Sequence, residues 1–282
     1  MSPGPASARQ GAILNGHNER MRAADFAFFD VPFTAFAHRG GATYEPNLYR
    51  ENSLHAFKEA VALGYRYLET DVHATRDDVL LAFHDRVLDR VTDRTGAIAE
   101  LTYPEVAEAR IHGLDPIPRF AELLAEFPDA RFNVDVKSSR AVALLSATIA
   151  EHGAYDRVCV ASFGIRRLYE LRRRLGWRVP SAASTLGVAA NRFLPWVTWA
   201  LNTPAPVLQI PLSISVVGRK LSVLTPALIE AAHRAGKKVH IWTVDDSEIM
   251  ERLIDASVDG IFTDRVDTLK DVLVRRGLWA DP

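Results

Sequence analysis

Short apolar runs alternate with amphipathic segments along most of this chain. From Phe33 onward, strand-like runs rich in Val, Ile, Phe and Ala are separated by stretches with helical periodicity. The predicted strands are 33–38, 66–72, 131–137, 157–162, 179–184, 206–211, 238–244 and 259–263. The predicted helices are 52–63, with Asn52 as N-cap, and 104–110, 118–127, 139–151, 164–175, 225–235, 246–255 and 266–276. Strands that alternate with helices in this way predict a parallel sheet.

The number of repeats narrows the fold class. Eight strand–helix units in about 250 residues are what an α/β protein of the (β/α)₈ barrel type needs. A doubly wound open sheet is the alternative, but the turn after the first strand, "HRGGATYEPNLYREN", is not the G-x-G-x-x-G pattern. We therefore predict a single barrel domain over residues 31–276, preceded by a flexible N-terminal arm over residues 1–30.

A hydrophobic insertion is predicted before the seventh strand, over residues 191–221. Its first part, 191–201, carries Phe193, Trp196 and Trp199, and an exposed patch of this kind would suit peripheral contact with a lipid surface. Covering the barrel rim or forming a dimer contact is the alternative. Four prolines before Leu212 argue against a regular helix that crosses a membrane here.

Composition and charge exclude some classes of function. The chain of 282 residues is 48% hydrophobic and has a formal net charge of -1, so it shows no electrostatic footprint for nucleic acid. Its one cysteine, Cys159, cannot form a disulfide within the chain, and this fits a reducing compartment. The N-terminus lacks the continuous apolar run of a signal peptide. We expect a cytoplasmic location, with peripheral membrane contact through 191–201 as an addition.

Acidic residues interrupt the apolar pattern of the second predicted strand. Glu69 and Asp71 share one face of that strand, and two neighbouring carboxylates are costly to remove from water. Asp135 stands near the end of the third strand, where a barrel would bring it close. Divalent cations such as Mg²⁺ and Ca²⁺ bind oxygen ligands and would offset this charge. Pairing with nearby basic residues such as Lys137 is the alternative.

Two histidines and two cations complete the candidate site. His38 and His84 each close an apolar run, and imidazoles can accept and donate protons near neutral pH. Arg39 and Lys137 suit contacts with phosphate oxygens. Trp242 is either a wall of the pocket or a core residue. A cation site, two imidazoles and two basic side chains at a barrel mouth favour displacement at phosphorus.

The order of motifs resembles the glycerophosphodiester phosphodiesterase family. The stretches that carry the resemblance are "AHRGGATYEPNLYRENSLHAFKEAVALGYRYLETDVHATRDDVLLAFHD", "FNVDVK" and "VHIWTVDD…VDGIFTDR", spread from Phe36 to Arg265. The resemblance implies a TIM barrel that cleaves a glycerophosphodiester to an alcohol and glycerol 3-phosphate. It implies that His38 and His84 act as general acid and base and that Glu69, Asp71 and Asp135 bind one divalent cation, Mg²⁺ or Ca²⁺. It implies that Arg39 and Lys137 contact phosphate. It also implies that Glu51 supports the cation site and Arg39 and that Trp242 lines the glycerol pocket.

The chain departs from the family pattern at one predicted ligand, and two alternative functions remain open. The family usually has Glu where this chain has Asp135, which shortens one predicted ligand by on the order of 1.5 Å. Either the strand lies closer, or a water bridges, or the site prefers another cation. A lysophospholipase D acting on lysophospholipids at a membrane surface is the second hypothesis. A non-catalytic barrel that binds a phosphate-bearing ligand is a remote third.

Overall fold

The chain forms an α/β barrel in which a parallel sheet is surrounded by helices. The computed structural model describes residues 21–193, 204–216 and 219–279. The strands are β1 Thr34–His38, β2 Tyr67–Ala74, β3 Leu80–Ala82, β4 Arg110–Ile111, β5 Asp115–Pro116, β6 Arg131–Val136, β7 Val158–Ala161, β8 Val207–Pro211, β9 Ser213–Val216, β10 Arg219–Ser222, β11 Lys238–Trp242 and β12 Gly260–Thr263. The α-helices are α1 Leu54–Ala62, α2 Tyr103–Ala107, α3 Phe120–Glu126, α4 Ser139–Glu151, α5 Ile165–Leu175, α6 Thr185–Phe193, α7 Pro226–Arg234, α8 Ser247–Asp255 and α9 Val266–Arg275.

The sheet curls until its two ends meet. Parallel pairing runs in the order β7-β6-β2-β1-β12-β11-β8. Between β7 and β8, Ser181 bridges to Val160 and Ala182 bridges to Val207, both in the parallel sense. All eight predicted barrel strands are therefore present, although the fifth is reduced to these two bridging residues. The predicted (β/α)₈ barrel is confirmed.

The lower end of the barrel is closed by residues that the sequence assigned to a flexible arm. Residues 21–30 form two short 3₁₀ turns, Ala23–Asp25 and Ala27–Phe29. Phe28 is fully buried, and its carbonyl oxygen accepts a hydrogen bond of 2.7 Å from the hydroxyl of Tyr67. The arm prediction is therefore wrong for these residues, because the interior of the barrel needs apolar side chains to fill its lower end. Residues 1–20 lie outside the described part of the chain.

A long connection after β2 forms a subdomain beside the barrel mouth. β3 turns back antiparallel to β2, and Val72 pairs with Ala82. The rest of the connection has its own small core, which includes Leu88, Ile98 and Ile111. The sequence patterns did not predict β3 or the β4–β5 pair, because these strands are too short to show an alternating pattern. His84 lies just after β3, so this connection brings it back to the mouth of the barrel.

The start of α1 differs from the prediction by one residue. Ser53, and not Asn52, is the N-cap, because the Ser53 hydroxyl accepts a hydrogen bond from the backbone N–H of Ala56 at 3.1 Å. Asn52 has a positive φ of 60° and a buried side chain, whose oxygen accepts a 2.7 Å hydrogen bond from Thr70 on β2. Asn52 therefore ties the loop after β1 to the neighbouring strand.

The predicted hydrophobic insertion holds more regular structure than its sequence indicated. It contains the end of α6, the barrel strand β8 and the β9–β10 hairpin. Within 191–201, Asn191 is buried and Phe193 is exposed, while 194–203, which includes Trp196 and Trp199, lies outside the described residues. In the parts of the chain that the structure describes, no helix has the length and apolar character that a membrane crossing requires.

Candidate active site

A cavity of about 450 Å³ opens at the end of the barrel where the parallel strands finish. This is the end at which barrel enzymes build their active sites. Eight of the nine predicted site residues line the cavity: His38, Arg39, Glu69, Asp71, His84, Asp135, Lys137 and Trp242. The ninth, Glu51, lies behind Arg39 and accepts a hydrogen bond of 3.2 Å from its guanidinium.

Strand register brings the acidic residues together. In the parallel pairing of β1 with β2, His38 lies opposite Glu69, and in the pairing of β2 with β6, Asp71 lies opposite Asp135. All three acids are buried, with at most 8% of each residue exposed. The shorter side chain at position 135 therefore still reaches the cavity, because its strand is the direct neighbour of β2.

Lys137 and Arg39 balance part of this negative charge. The ammonium of Lys137 donates to Asp71 Oδ1 at 2.8 Å and to Asp135 Oδ2 at 2.7 Å. The Arg39 Nε lies 3.4 Å from Asp71 Oδ2. Burial alone would raise the pKa of Asp71, but the charges of Lys137 and Arg39 outweigh it and hold that pKa below its usual value. Asp71 is therefore charged at neutral pH.

The other two carboxyl groups are less well compensated. Burial and the neighbouring charge of Asp71 raise the pKa of Glu69 to about 7. Burial also raises the pKa of Asp135, although Lys137 acts in the opposite direction. Three buried carboxyl groups thus share two neighbouring basic side chains, Lys137 and Arg39. Perturbed carboxyl groups in a cavity of this kind are typical of functional sites.

These carboxylates suit a divalent cation because they offer oxygen ligands and because some of their oxygens have no hydrogen-bond partner. The Oδ2 of Asp71 and the Oδ1 of Asp135 are buried without a hydrogen-bond partner among the described residues. Oxygen donors of this kind are the ligands that Mg²⁺ and Ca²⁺ take. Within the described ranges, however, no three His, Cys, Asp or Glu side chains already form a cluster that could hold a metal ion. The ammonium of Lys137 lies between Asp71 and Asp135 and bonds to both.

His38 is held in place by the carboxylate of Asp264, a residue that was not among the predicted site residues. Its Nδ1 donates to Asp264 Oδ1 at 2.8 Å, and its Nε2 lies 3.8 Å from Glu69 Oε2. Burial lowers the pKa of His38, but the charges of Glu69 and Asp264 outweigh burial and raise it above its usual value. Asp264 directly follows the last barrel strand, so its position at a strand end was the available signal.

His84 has an equivalent partner in the next residue of the chain. Its Nδ1 donates to Asp85 Oδ1 at 2.6 Å, and its backbone carbonyl accepts a 3.1 Å hydrogen bond from His73 Nε2. Asp85 is also bonded to Arg90, and Arg90 donates to both carboxylate oxygens of Glu51, at 2.6 and 3.0 Å. The adjacent "HD" pair in the sequence was the signal for Asp85, whereas nothing in the sequence pointed to Arg90.

Aromatic and amide side chains complete the walls. Trp242 packs edge-on against Phe163, with ring centroids 5.8 Å apart, and the ammonium of Lys137 lies 5.7 Å from the Phe163 ring centroid. Below the acids, Gln209 donates to the side-chain oxygen of Asn133 at 2.7 Å. Trp242 thus lines the cavity. Of the two positions that the sequence left open, pocket wall and core, the structure shows the pocket wall.

Comparisons with known proteins agree with this arrangement. The family model for the glycerophosphoryl diester phosphodiesterase family matches residues 38–268. The probable glycerophosphodiester phosphodiesterase 2 of Mycobacterium tuberculosis is 38% identical over 255 residues, which cover 87% of this chain and 92% of the relative. The lysophospholipase D GDPD1 of Homo sapiens is 26% identical over 271 residues, covering 84% of this chain and 85% of the relative.

A solved structure shares the fold. The phosphodiesterase of Oleispira antarctica, in complex with the product sn-glycerol-3-phosphate, superposes with a TM-score of 0.72 at 20% identity, covering 88% of this chain and 99% of that chain. This likeness shows the barrel fold. The family match over most of the chain, together with the identity to the mycobacterial relative, shows that this chain belongs to the glycerophosphoryl diester phosphodiesterase family.

Proposed function

We propose that this protein hydrolyses a glycerophosphodiester to an alcohol and glycerol 3-phosphate with the help of a divalent cation. The observation that carries the proposal is the meeting of His38, His84, Arg39, Lys137 and the buried acids around one cavity. Two imidazoles and two cations beside a carboxylate group are what in-line displacement at phosphorus requires. The family match and the product complex of the Oleispira antarctica protein support the same reaction.

In this proposal each side chain has a distinct task. Arg39 and Lys137 contact the non-bridging oxygens of the phosphate, where a planar guanidinium and an ammonium stabilise negative charge. One imidazole removes the proton of the attacking oxygen, and the other protonates the oxygen of the departing alcohol. The attacking group is either water or the 2-hydroxyl of the glycerol, which would give a cyclic phosphate first. Trapping a cyclic product, or following ¹⁸O from water, distinguishes the two.

Glu69, Asp71 and Asp135 would hold the cation. A bound Mg²⁺ or Ca²⁺ would supply Lewis-acid stabilisation of the charge that develops on the phosphoryl oxygens. The raised pKa of Glu69 supports this role, because the charged form of that carboxyl is disfavoured in the protein alone, and the oxygens of Asp71 and Asp135 that lack a hydrogen-bond partner support it as free ligand positions. Glu51 and Arg90 would keep Arg39 and Asp85 in position.

The test uses the intact protein and a panel of diesters. We expect glycerophosphocholine to be hydrolysed with Mg²⁺ or Ca²⁺ present, and activity to be lost on chelation and restored by one of the two ions. His38→Ala and Asp71→Ala should each lower kcat by about 10²- to 10⁴-fold, while His152→Ala, on the exposed end of α4, should leave kcat unchanged. Full activity in either site variant, with the fold intact by circular dichroism, would remove the assigned role.

A second candidate function is that of a lysophospholipase D at a membrane surface. The apolar side of the cavity and the name of the human relative favour it. This candidate function includes peripheral membrane contact through 191–201 by a protein located in the cytoplasm. Both the contact and the location stay predictions. Vesicle binding that is lost when Trp196 and Trp199 become polar would support it. A protein that binds phosphate ligands without forming product would instead support the remote non-catalytic barrel.

A further inference from the structure

Arg192 is a cation of the cavity wall that the charged site does not use. It lies near the end of α6 and lines the same cavity as His38 and Lys137. The other side chains that α6 and the β9–β10 hairpin contribute to this wall are mostly apolar, and they include Val188, Ala189, Ile214 and Leu221. A positive charge in a largely apolar part of a cavity is costly unless it meets a negative group.

No carboxylate of the described residues pairs with Arg192. Its Nε donates to the carbonyl oxygen of Ser222 at 3.1 Å, and its guanidinium carbon lies 5.3 Å from the ring centroid of Phe193. Neither contact supplies a negative charge. The stretches 194–203 and 217–218, which lie outside the described residues, contain no Asp or Glu in their sequence. The negative partner of Arg192 is therefore expected to come with the substrate.

The guanidinium of Arg192 keeps donors for such a partner. Only its Nε is hydrogen-bonded among the described residues, so the N–H groups of the two terminal nitrogens remain for a ligand. A planar pair of donors matches two oxygens of a carboxylate or a phosphate. Arg192 is also half-buried, and the attraction between opposite charges is stronger there than at an open surface.

The helices on this side of the mouth carry an excess of positive charge. α5 has five arginines and α6 has one, against a single acid, Glu170, which pairs with Arg174. Arg167 lies close to the site, because its Nε donates at 2.9 Å to the hydroxyl of Ser162, which lines the cavity. The acids that line the cavity come from β2 and β6 instead, and each already lies beside a basic side chain. The α5–α6 side therefore favours an anion.

We infer that Arg192 determines substrate specificity by binding a negative group on the alcohol part of the diester. This role rests on the proposed function and narrows its preferred substrate class to glycerophosphodiesters whose alcohol carries an anion, such as a carboxylate. In that function Arg39 and Lys137 already contact the phosphate, so Arg192 can bind a second negative group. The anionic group takes no part in the reaction and leaves with the alcohol.

The first test compares glycerophosphoserine with glycerophosphoethanolamine. These two diesters share the glycerol, the phosphate and the ammonium group, and they differ by one carboxylate. With the intact protein and the same divalent cation, kcat/KM should be about tenfold or more higher for glycerophosphoserine, as a charge-assisted hydrogen bond predicts. Equal values would overturn the role of Arg192 and leave the proposed function standing. No hydrolysis of any glycerophosphodiester would overturn both.

The second test changes the charge at position 192. Arg192→Met should bring the ratio of the two kcat/KM values, serine diester over ethanolamine diester, towards one. Arg192→Glu should move the ratio below one, because its carboxylate repels that of the serine. The loss should appear in KM for glycerophosphoserine more than in kcat, since the anionic group is bound equally in the ground state and the transition state.

The ethanolamine diester serves as the internal reference for damage to the fold. Arg173→Met is the matched control variant, because Arg173 lies at an exposed position of α5, loses the same charge and does not line the cavity. It should leave the ratio unchanged. If Arg192→Met lowered both kcat/KM values equally, so that the ratio stayed as in the unmodified protein, Arg192 would serve the fold or the phosphate, and its role in specificity would be refuted.

Discussion

At the scale of single residues, each imidazole of the site is paired with an aspartate through Nδ1. Asp264 accepts from His38 and Asp85 accepts from His84, at 2.8 and 2.6 Å. Such a pairing keeps the proton on Nδ1 and leaves Nε2 available to the substrate. The two aspartates therefore act as positioning residues for the proposed general acid and base.

We predict that Asp264→Asn lowers kcat more than it changes KM. The amide favours the wrong tautomer of His38, and Asp264 does not line the cavity, so substrate binding should be little affected. The fall in kcat should be on the order of 100-fold. Steady-state kinetics with glycerophosphocholine measure both parameters. Asp267→Asn is the control, because Asp267 pairs with Arg265 instead. An unchanged kcat for Asp264→Asn would show that His38 needs no partner.

The ion pairs of Arg90 predict a pH-dependent stability. Burial would raise the pKa of Glu51 and of Asp85, but Arg90 and neighbouring positive charges hold both values below their usual range. Because the folded values are lowered, this stabilisation is complete above the unfolded pKa of about 4 and is lost as pH falls through the folded values.

Arg90→Met should therefore reduce the free energy of unfolding at pH 7 by on the order of 1 kcal/mol, since Arg90 is half exposed. The difference from the unmodified protein should shrink as the pH falls below about 4. Urea unfolding at neutral and acidic pH measures it. Arg86→Met, at an exposed position nearby, is the control. A difference that does not vary with pH would contradict the electrostatic explanation.

At the scale of elements, the turn between β1 and α1 shapes the site around Arg39. Gly40 has a φ of +87°, and a Cβ at this position would lie 2.7 Å from the Cβ of Ala56 in α1. The side-chain amide of Asn47 donates to the carbonyl oxygens of Gly40 and Ala56, at 2.9 and 3.2 Å. The glycine of the H-R-G motif is therefore required by close packing of the turn against the helix.

Gly40→Ala should destabilise the protein more than Gly113→Ala. Gly113 also has a positive φ, +76°, but no atom lies within 4 Å of where its Cβ would be. The control should thus cost only the backbone strain of about 1–2 kcal/mol, whereas Gly40→Ala adds a steric clash. Urea denaturation compares the two variants. Equal losses would mean that α1 moves aside without cost.

At the scale of the whole molecule, the barrel has an aromatic lower end and a charged upper end. Phe36 stacks on Phe262 with ring centroids 4.1 Å apart, and both lie above the plug formed by Phe28 and Phe29. The buried apolar contacts at one end stabilise the barrel, so the other end can carry poorly compensated carboxylates. Removal of aromatic packing from the plug should therefore weaken the entire fold.

Phe28→Ala should lower the free energy of unfolding by about 3–5 kcal/mol, because it leaves a cavity under the barrel. Phe163→Ala, which removes an aromatic side chain that is 63% exposed, should change it by less than about 0.5 kcal/mol. Thermal and urea unfolding measure both. Similar effects for the two variants would show that residues 21–30 do not seal the barrel.

Sequence periodicity and motif order determined the barrel strands, the helices that follow most of them and eight cavity-lining residues. They could do so because strand alternation and the rule that sites lie at strand ends are local properties of the chain. The short strands β3, β4 and β5 and the packing of residues 21–30 escaped detection, since each is stabilised by distant partners. The short bridge at Ser181 and Ala182 also depends on its neighbours for its regular structure.

Only the tertiary structure decided which charges meet. Asp264 and His38 are 226 positions apart, and Arg90 reaches Glu51 across 39 positions. The wall of the cavity likewise combines α6 with a hairpin that comes later in the chain. The sequence by itself determined the type of fold and the chemical groups near the mouth of the barrel. Their partners and the shape of the cavity depend on how strands curl and loops return, which is a property of long-range packing.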